Sequence, residues 1–113
     1  MNTGKRGERL AARYLFFHGY RILERNYRFG RYEIDIVARE RRTRRLVFVE
    51  VKTRSNTDYG LPRDAVDAKK QLFLTRAAQG YLKEHHIPDE RIRFDVVEVY
   101  TDPRRIVHLP DVF

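Results

Sequence analysis

The sequence predicts an α/β fold, a mixed β-sheet flanked by helices with the element order α-β-β-β-α-β-β. Two segments, one near the N-terminus and one after residue 63, have apolar residues at helical spacing. Five others are rich in β-branched and aromatic residues and are bounded by glycine, proline or polar turns. At 113 residues the chain fits the size of one domain, so we expect residues 1–113 to form a single domain.

The first half of the chain predicts one helix and three strands. The helix is predicted over residues 3–18, because Thr3 suits an N-cap and Gly19 can end the helix in the left-handed conformation. The strands are predicted over residues 20–29, 32–38 and 46–53, with a turn at Gly30.

The second half predicts a polar loop, a long helix and two strands. The loop covers residues 55–61, and the helix covers residues 63–84, with a break before Lys69 as the alternative. Its apolar stripe is predicted at Val66, Phe73, Ala77 and Tyr81, with Leu72 and Leu82 beside it. The strands are predicted over residues 91–100 and 106–109, with a turn at residues 102–103.

The second and third strands carry acidic residues into β-branched runs. Because strand side chains alternate between faces, Ile34, Ile36 and Ala38 are predicted on one face and Asp35 on the other. The polar connection over residues 39–45 predicts a hairpin in which paired residue numbers sum to 85. Asp35 then faces Glu50, and Glu33 faces Lys52.

Two carboxylates directly opposite each other are destabilising unless a cation lies between them. Asp35 and Glu50 are therefore candidate metal ligands, and oxygen ligands favour Mg²⁺ or Mn²⁺. Lys52 can orient a water and stabilise negative charge at phosphorus. Glu8 lies on the N-terminal extension of the first helix's buried face, where it can add a metal or water ligand.

A purely structural interpretation of these residues stays open. Lys52 can form a cross-strand ion pair with Glu33 or Asp35, and Glu8 can be a solvated acid near a helix start.

The chain carries a net charge of +8 with a pI of about 10.1, which favours an anionic partner, of which nucleic acid is the commonest. Among the arginines of residues 39–45 we expect Arg41, Arg42 and Arg44 to contact phosphates, a solvated turn being the alternative. Arg54 follows the third strand and can contact phosphates near the carboxylates.

Composition narrows the function classes. The absence of cysteine excludes disulfides, thiol catalysis and cysteine zinc sites, and agrees with a cytoplasmic location. The longest apolar run, residues 46–49, is too short to span a bilayer, and no apolar signal region follows the basic N-terminus. We therefore expect no membrane association.

Several motifs together resemble the YraN family of small bacterial proteins, over nearly the whole chain. They are Gly7-Glu8, Glu33-Ile34-Asp35, residues 48–54, residues 93–97, and the Gly60, Pro62, Ala65-Val66 and Lys69 pattern. One departure is Tyr32, since the family commonly has glycine before the Glu-Ile-Asp element; a tyrosine there crowds the approach or stacks on a base.

That family is similar to PD-(D/E)xK nucleases and archaeal Holliday-junction resolvases. The resemblance implies a restriction-endonuclease-like core, with Asp35 as the central metal ligand, Glu50 and Lys52 as the acid and lysine of the motif, and Glu8 as a helix-borne acid. Phosphate contact by Lys69 is implied by the resemblance alone.

These observations predict a metal-dependent nuclease that acts on DNA, including branched or damaged DNA, and that can form a homodimer. Two alternatives remain: a nucleic-acid-binding domain of the same fold that does not cleave, and an interaction protein that dimerises through the sheet edge or the long helix.

Overall fold

The chain folds into a five-stranded mixed sheet with one helix on each face. The computed structural model describes residues 3–54, 66–88, 91–101 and 103–113, with the backbone alone at Thr3. Its elements are α1 (Thr3–Phe17), β1 (Tyr20–Phe29), β2 (Tyr32–Glu40), β3 (Leu46–Arg54), α2 (Ala68–Glu84), β4 (Ile92–Thr101) and β5 (Arg104–Leu109). The predicted α/β class and element order are confirmed.

The strands lie in the sheet in chain order, from β1 at one edge to β5 at the other. β3 and β4 are parallel because α2 connects them, and the other neighbours are antiparallel. In the hairpin of β2 and β3, Ile36 pairs with Val49 and Val37 pairs with Phe48, which confirms the predicted sum of 85.

Each sheet face has its own apolar core. Beneath α1, Ala11 and Leu15 pack with Ile36, Val49 and Val97. The core beneath α2 includes Tyr27, Ile34, Val37, Phe48, Leu74 and Tyr81. Gly19 ends α1 with a φ of 91°, as its position predicts.

The second helix begins at Ala68, which agrees with the predicted alternative, a break before Lys69, and not with a continuous helix from residue 63. Val66 and Asp67 precede α2, and Asp67 has an extended backbone with φ −77° and ψ 178°. The Asp67 side chain accepts a hydrogen bond from the Lys70 amide at 2.8 Å, so it is the N-cap. The predicted loop over residues 55–61, Pro62 and residues 63–65 lie outside the described residues, as do the Thr3 side chain and Asp102.

The predicted apolar stripe is correct at Ala77 and Tyr81 and wrong at Phe73, while Val66 is buried in the same core but precedes the helix. Leu74 is buried, whereas Leu72 is 52% exposed and Phe73 is half-buried. The buried residues of the helix are Leu74, Ala77, Ala78, Gly80 and Tyr81.

The predicted face assignment of Ile34 is also wrong. Ile34 packs beneath α2 with Val37, whereas Ile36 and Ala38 pack beneath α1. The alternation of β2 therefore breaks at Asp35. No helix in the described parts of the chain is long and apolar enough to cross a membrane.

Candidate active site

The site begins where β2 and β3 separate. Their ladder ends at the pair Ile36 and Val49, so the predicted backbone pairing of Asp35 with Glu50 is not formed. Instead, Oδ2 of Asp35 accepts a hydrogen bond from the Val51 amide at 2.8 Å. The Asp35 side chain thus takes the place of a strand partner, which holds its carboxyl between the two strands.

The carboxyl groups of Asp35 and Glu50 nevertheless meet, as the sequence predicts. Burial and the charge of Glu50 raise the pKa of Asp35 from 3.8 to about 7, while the Val51 amide acts against this shift. Glu50 itself is only 6% exposed. Two acids that share a buried position favour the loss of one charge or the binding of a cation.

Lys70 on α2 is a member of this site that sequence reasoning missed. Its Nζ lies 3.1 Å from Oε2 of Glu50, and its positive charge lowers the pKa of Asp35. The signal was present, because Lys70 precedes Leu74 by four residues and Ala77 by seven. It therefore continues the buried stripe of α2 toward the sheet.

Lys52 lies on the same strand as Glu50, two residues further along. The predicted partner Glu33 is not its partner, because Glu33 pairs with Arg28 at 3.3 Å, between Oε2 and Nη2. Lys52 is half-buried and makes no hydrogen bond or ion pair with any residue that the structure describes.

Glu8 reaches the site from the first turns of α1. Burial and the charge of Asp35 raise the pKa of Glu8, whereas a hydrogen bond from Asn26 lowers it. Its Oε2 is buried without a hydrogen-bond partner among the described residues. Glu8 is therefore near Asp35, as predicted, and has a carboxylate oxygen available to a ligand.

Gly7 and Asn26 are neighbours of Glu8 and Asp35 that shape the backbone around them. A Cβ on Gly7 would lie 2.0 Å from Oγ1 of Thr53, so only glycine lets α1 approach β3 this closely. Asn26, which has a φ of 55°, stands opposite Asp35 in β1, where the alternation of β2 breaks. Asparagine tolerates a positive φ better than most residues, and this preference is the only sequence signal for the conformation of Asn26.

The donor set fits a hard divalent cation held by two carboxylates. Mg²⁺ commonly keeps several waters and binds one or two carboxylates together with substrate phosphates. Asp35 and Glu50 supply those two carboxylates, and the unpartnered oxygen of Glu8 is a third donor nearby. Within the described residues no three His, Cys, Asp or Glu side chains converge on one metal position.

The predicted phosphate contacts Arg41, Arg42 and Arg44 lie in the exposed turn between β2 and β3. This turn is at the opposite end of β2 from Asp35, and six residues of strand correspond to about 20 Å. A depression of about 430 Å³ there is lined by Arg21, Arg39, Arg41 and Arg44. These arginines form a basic surface separate from the carboxylates.

The other two predicted contacts lie closer to the site. Nε of Arg54 donates a hydrogen bond to Glu98, whose side chain is fully buried, so Arg54 is anchored to β4. Lys69 is exposed at the start of α2, with its Nζ 5.7 Å from the centroid of the Phe73 ring.

Comparison with known proteins gives one consistent result. The model of the uncharacterised protein family UPF0102 matches residues 7–99. A UPF0102 protein of Pelobacter propionicus is 45% identical, over 99% of this chain and 82% of its own length. A UPF0102 protein of Syntrophus aciditrophicus is 46% identical, over 100% of this chain and 89% of its own length.

Proposed function

This chain belongs to the uncharacterised protein family UPF0102, and we propose that it is a metal-dependent phosphodiesterase that cleaves DNA. The family resemblance found in the sequence motifs is confirmed by these matches, but the family name assigns no activity. The proposal therefore depends on the site. The observation that carries it is the pair of carboxyl groups where β2 and β3 separate, in which Glu50 is buried and Asp35 is half-buried.

A nearly buried acid pair costs free energy in the folded protein, because both groups lose hydration and repel each other. Such arrangements cluster at functional sites. Asp35 and Glu50 would hold Mg²⁺ or Mn²⁺. When bound, such an ion polarises the phosphodiester and lowers the pKa of a water.

The chain's own groups support phosphoryl chemistry around that pair. The Lys52 ammonium, which has no partner among the described residues, would donate hydrogen bonds to the phosphate as negative charge develops. The Oε2 of Glu8, which lacks a hydrogen-bond partner among the described residues, would accept a proton from the attacking water. The Lys70 ammonium lies 3.1 Å from Oε2 of Glu50 and offsets its negative charge in the absence of another cation.

The basic character of the chain supports DNA as the substrate. The net charge is +8, and the arginine-lined depression at the far end of β2 offers a second contact to the DNA backbone. A span of about 20 Å between these two surfaces corresponds to about six base pairs of duplex, from the strand rise and the helical repeat.

The test is cleavage of a panel of duplex, flap, fork and four-way-junction DNA by the purified protein with Mg²⁺ or Mn²⁺. We expect Glu50→Gln and Lys52→Met each to lower the rate at least about 100-fold, as loss of charge stabilisation does elsewhere. Asp111→Asn is the matched control, since Asp111 is exposed at the end of the chain. Absence of cleavage on every substrate, or cleavage that survives both site variants, would refute the proposal.

A non-cleaving nucleic-acid-binding domain is the second candidate function. The observation that favours it is that no three acidic or histidine side chains in the described ranges gather around one metal position. Binding with a steep salt dependence, the same with and without divalent metal, together with no cleavage, would support this candidate instead.

A further inference from the structure

Two aromatic rings that contact each other lie on β2 and α2, the elements that also carry Asp35 and Lys70. The ring centroids of Tyr32 and Phe73 are 5.2 Å apart, with the planes inclined at 59°, and both residues are half-buried. Tyr32 precedes Asp35 by three residues of strand, about 10 Å. Phe73 follows Lys70, which contacts Glu50, by one helical turn.

Cations surround these two rings. The guanidinium of Arg31 lies 5.5 Å from the centroid of Tyr32 and 5.8 Å from that of Phe73. The ammonium of Lys69 lies 5.7 Å from the centroid of Phe73. Aromatic faces combined with cations are the arrangement on which proteins stack unpaired bases while neutralising the neighbouring phosphates.

Tyr32 also lines a groove along the outer face of α2, which we call the α2 groove, and Phe73 packs against Tyr32 beside it. Its volume is about 400 Å³. Its floor is apolar and its edge is basic, and the main lining residues are Phe29, Tyr32, Leu72, Gly80, Arg76 and Lys83.

Gly80 forms part of the floor because Phe29 packs directly on its backbone. A Cβ at position 80 would lie 2.3 Å from the Phe29 ring. Leu72 remains 52% exposed and Phe29 38% exposed, so the groove presents apolar surface to solvent. Apolar surface of this kind next to a site indicates a ligand with an apolar face.

The charges of the α2 groove select an anionic ligand. Arg76 and Lys83 follow Leu72 at four and eleven residues and therefore share its face of the helix. No acidic residue lines the groove among the described residues. An apolar floor with a basic edge is complementary to a nucleic-acid single strand, which exposes flat bases and a charged backbone.

We propose that the α2 groove binds an unpaired, single-stranded segment of the DNA that is cleaved at Asp35 and Glu50. The inference rests on the proposed function and deepens it, because it names the substrate class: DNA with a single-stranded stretch beside the scissile phosphate, such as a flap or fork. Bases stack on Tyr32 and Phe73, and Arg76 and Lys83 bind the phosphates that follow.

The first test measures binding without cleavage. Fluorescence anisotropy with a labelled 12-nucleotide oligo-dT and a blunt 12-base-pair duplex, both in EDTA, gives the two affinities. We expect Tyr32→Leu/Phe73→Leu to weaken binding of the single strand at least about tenfold, since stacking is lost, and to leave duplex binding within about twofold. Equal weakening of both ligands, or none, would overturn the proposal.

A second variant keeps the test valid if the aromatic variant does not fold. Arg76→Gln/Lys83→Gln removes only surface charges, and we expect it to reduce the slope of log affinity against log salt for the single strand by about 1.4, two phosphate contacts' worth. Arg13→Gln/Arg104→Gln removes two exposed charges elsewhere and should leave the slope unchanged. Identical slopes in all three proteins would refute the groove as the binding site.

The outcomes separate this inference from the proposed function. If the protein cleaves no substrate but the groove variants lose single-strand binding, the α2 groove is supported as a binding site and the nuclease proposal is refuted. If duplex and forked DNA are cleaved equally and the groove variants bind single strands normally, the nuclease proposal is supported and binding by the α2 groove is refuted. A dimer that Leu72→Glu dissociates in sedimentation, with single-strand binding unchanged, would show that a second copy occupies the groove.

Discussion

The carboxylate of Asp35 accepts a hydrogen bond from the backbone amide of Val51 at 2.8 Å, just beyond the last backbone pair of β2 and β3. A side chain thereby satisfies an amide that the ladder leaves without a partner. This bond fixes the carboxyl of Asp35 next to that of Glu50, although the acid pair opposes folding.

Asp35→Asn should stabilise the metal-free protein and abolish its metal binding. An asparagine oxygen can still accept the Val51 hydrogen bond, so the change removes the charge and keeps the contact. We expect the free energy of unfolding at pH 8 to rise by about 1–3 kcal/mol, since the unfavourable ionisation is absent. Urea unfolding measures the first effect and calorimetric Mn²⁺ titration the second.

The same substitution should change the pH dependence of stability. The pKa of Asp35 is about 7 in the folded protein and ordinarily 3.8. Its contribution to the free energy of unfolding is therefore fully present below pH 3.8, where the carboxyl is protonated in both states, and is lost as the pH rises through 7. The stability gained by Asp35→Asn should therefore grow between pH 5 and pH 8. Asp111→Asn is the control, and an unchanged Mn²⁺ isotherm in Asp35→Asn would contradict the metal assignment.

The features of the site that depend on local sequence pattern can be predicted from the sequence. The short polar connection and matched apolar faces predict the register of β2 and β3, and residues 36 and 37 pair as expected. The prediction for Ile34 is wrong because the alternation of β2 breaks at Asp35, opposite Asn26, a residue with positive φ in the neighbouring strand. No pattern within β2 itself carries that information.

The buried face of the second helix is predicted incorrectly for a different reason. Leu72, Phe73 and Leu74 are consecutive apolar residues, so spacing alone leaves the phase of the stripe undecided by one residue. Packing of Leu74 against the sheet settles the phase and turns Lys70 toward Glu50. Lys69, the residue indicated by the family resemblance, is instead exposed and lies over the Phe73 ring.

Lys70→Gln should strengthen Mn²⁺ binding at pH 8. The Lys70 ammonium, 3.1 Å from Glu50, competes with a metal ion for the same carboxylate. A partly exposed ion pair contributes up to about 1 kcal/mol, so its loss should raise the affinity by up to about fivefold. Lys69→Gln is the matched control, because Lys69 contacts the Phe73 ring and not the acids. Unchanged or weaker binding by Lys70→Gln would show that the ion does not use Glu50.

Asp95→Asn should destabilise the protein strongly and leave Mn²⁺ affinity unchanged. Asp95 is 1% exposed and accepts hydrogen bonds from Arg93, His108 and the Asp111 amide. Burial acts to raise its pKa, but these hydrogen bonds outweigh burial and hold the pKa of Asp95 below its ordinary value. Removal of one partner from a buried pair costs about 3–5 kcal/mol, which urea unfolding at pH 7 would measure.

The exposed ion pair of Arg28 and Glu33 provides a comparison for the loss of stability in Asp95→Asn. Glu33→Gln breaks the ion pair with Arg28, whose side chain is 73% exposed, and should cost less than about 1 kcal/mol. Because the pKa of Asp95 is lowered, its contribution is present above pH 3.8 and is lost as the pH falls through its folded value. An equal loss of stability in Asp95→Asn and Glu33→Gln would mean that the buried network contributes nothing beyond a surface pair.

Gly7→Ala should lower both stability and cleavage, through a contact made next to Glu8. Helix propensity alone favours alanine by about 1 kcal/mol, but its Cβ would lie 2.0 Å from Oγ1 of Thr53 and 3.2 Å from its Cβ. Overpacking of this kind typically costs about 1–3 kcal/mol, and its relief by outward movement of α1 would carry Glu8 away from Asp35. Thr53→Ala removes the closest atom, so Gly7→Ala should be less destabilising in that background by at least about 1 kcal/mol. Urea unfolding of the four proteins of this cycle measures the coupling, and additive effects of the two substitutions would show that α1 does not depend on this contact.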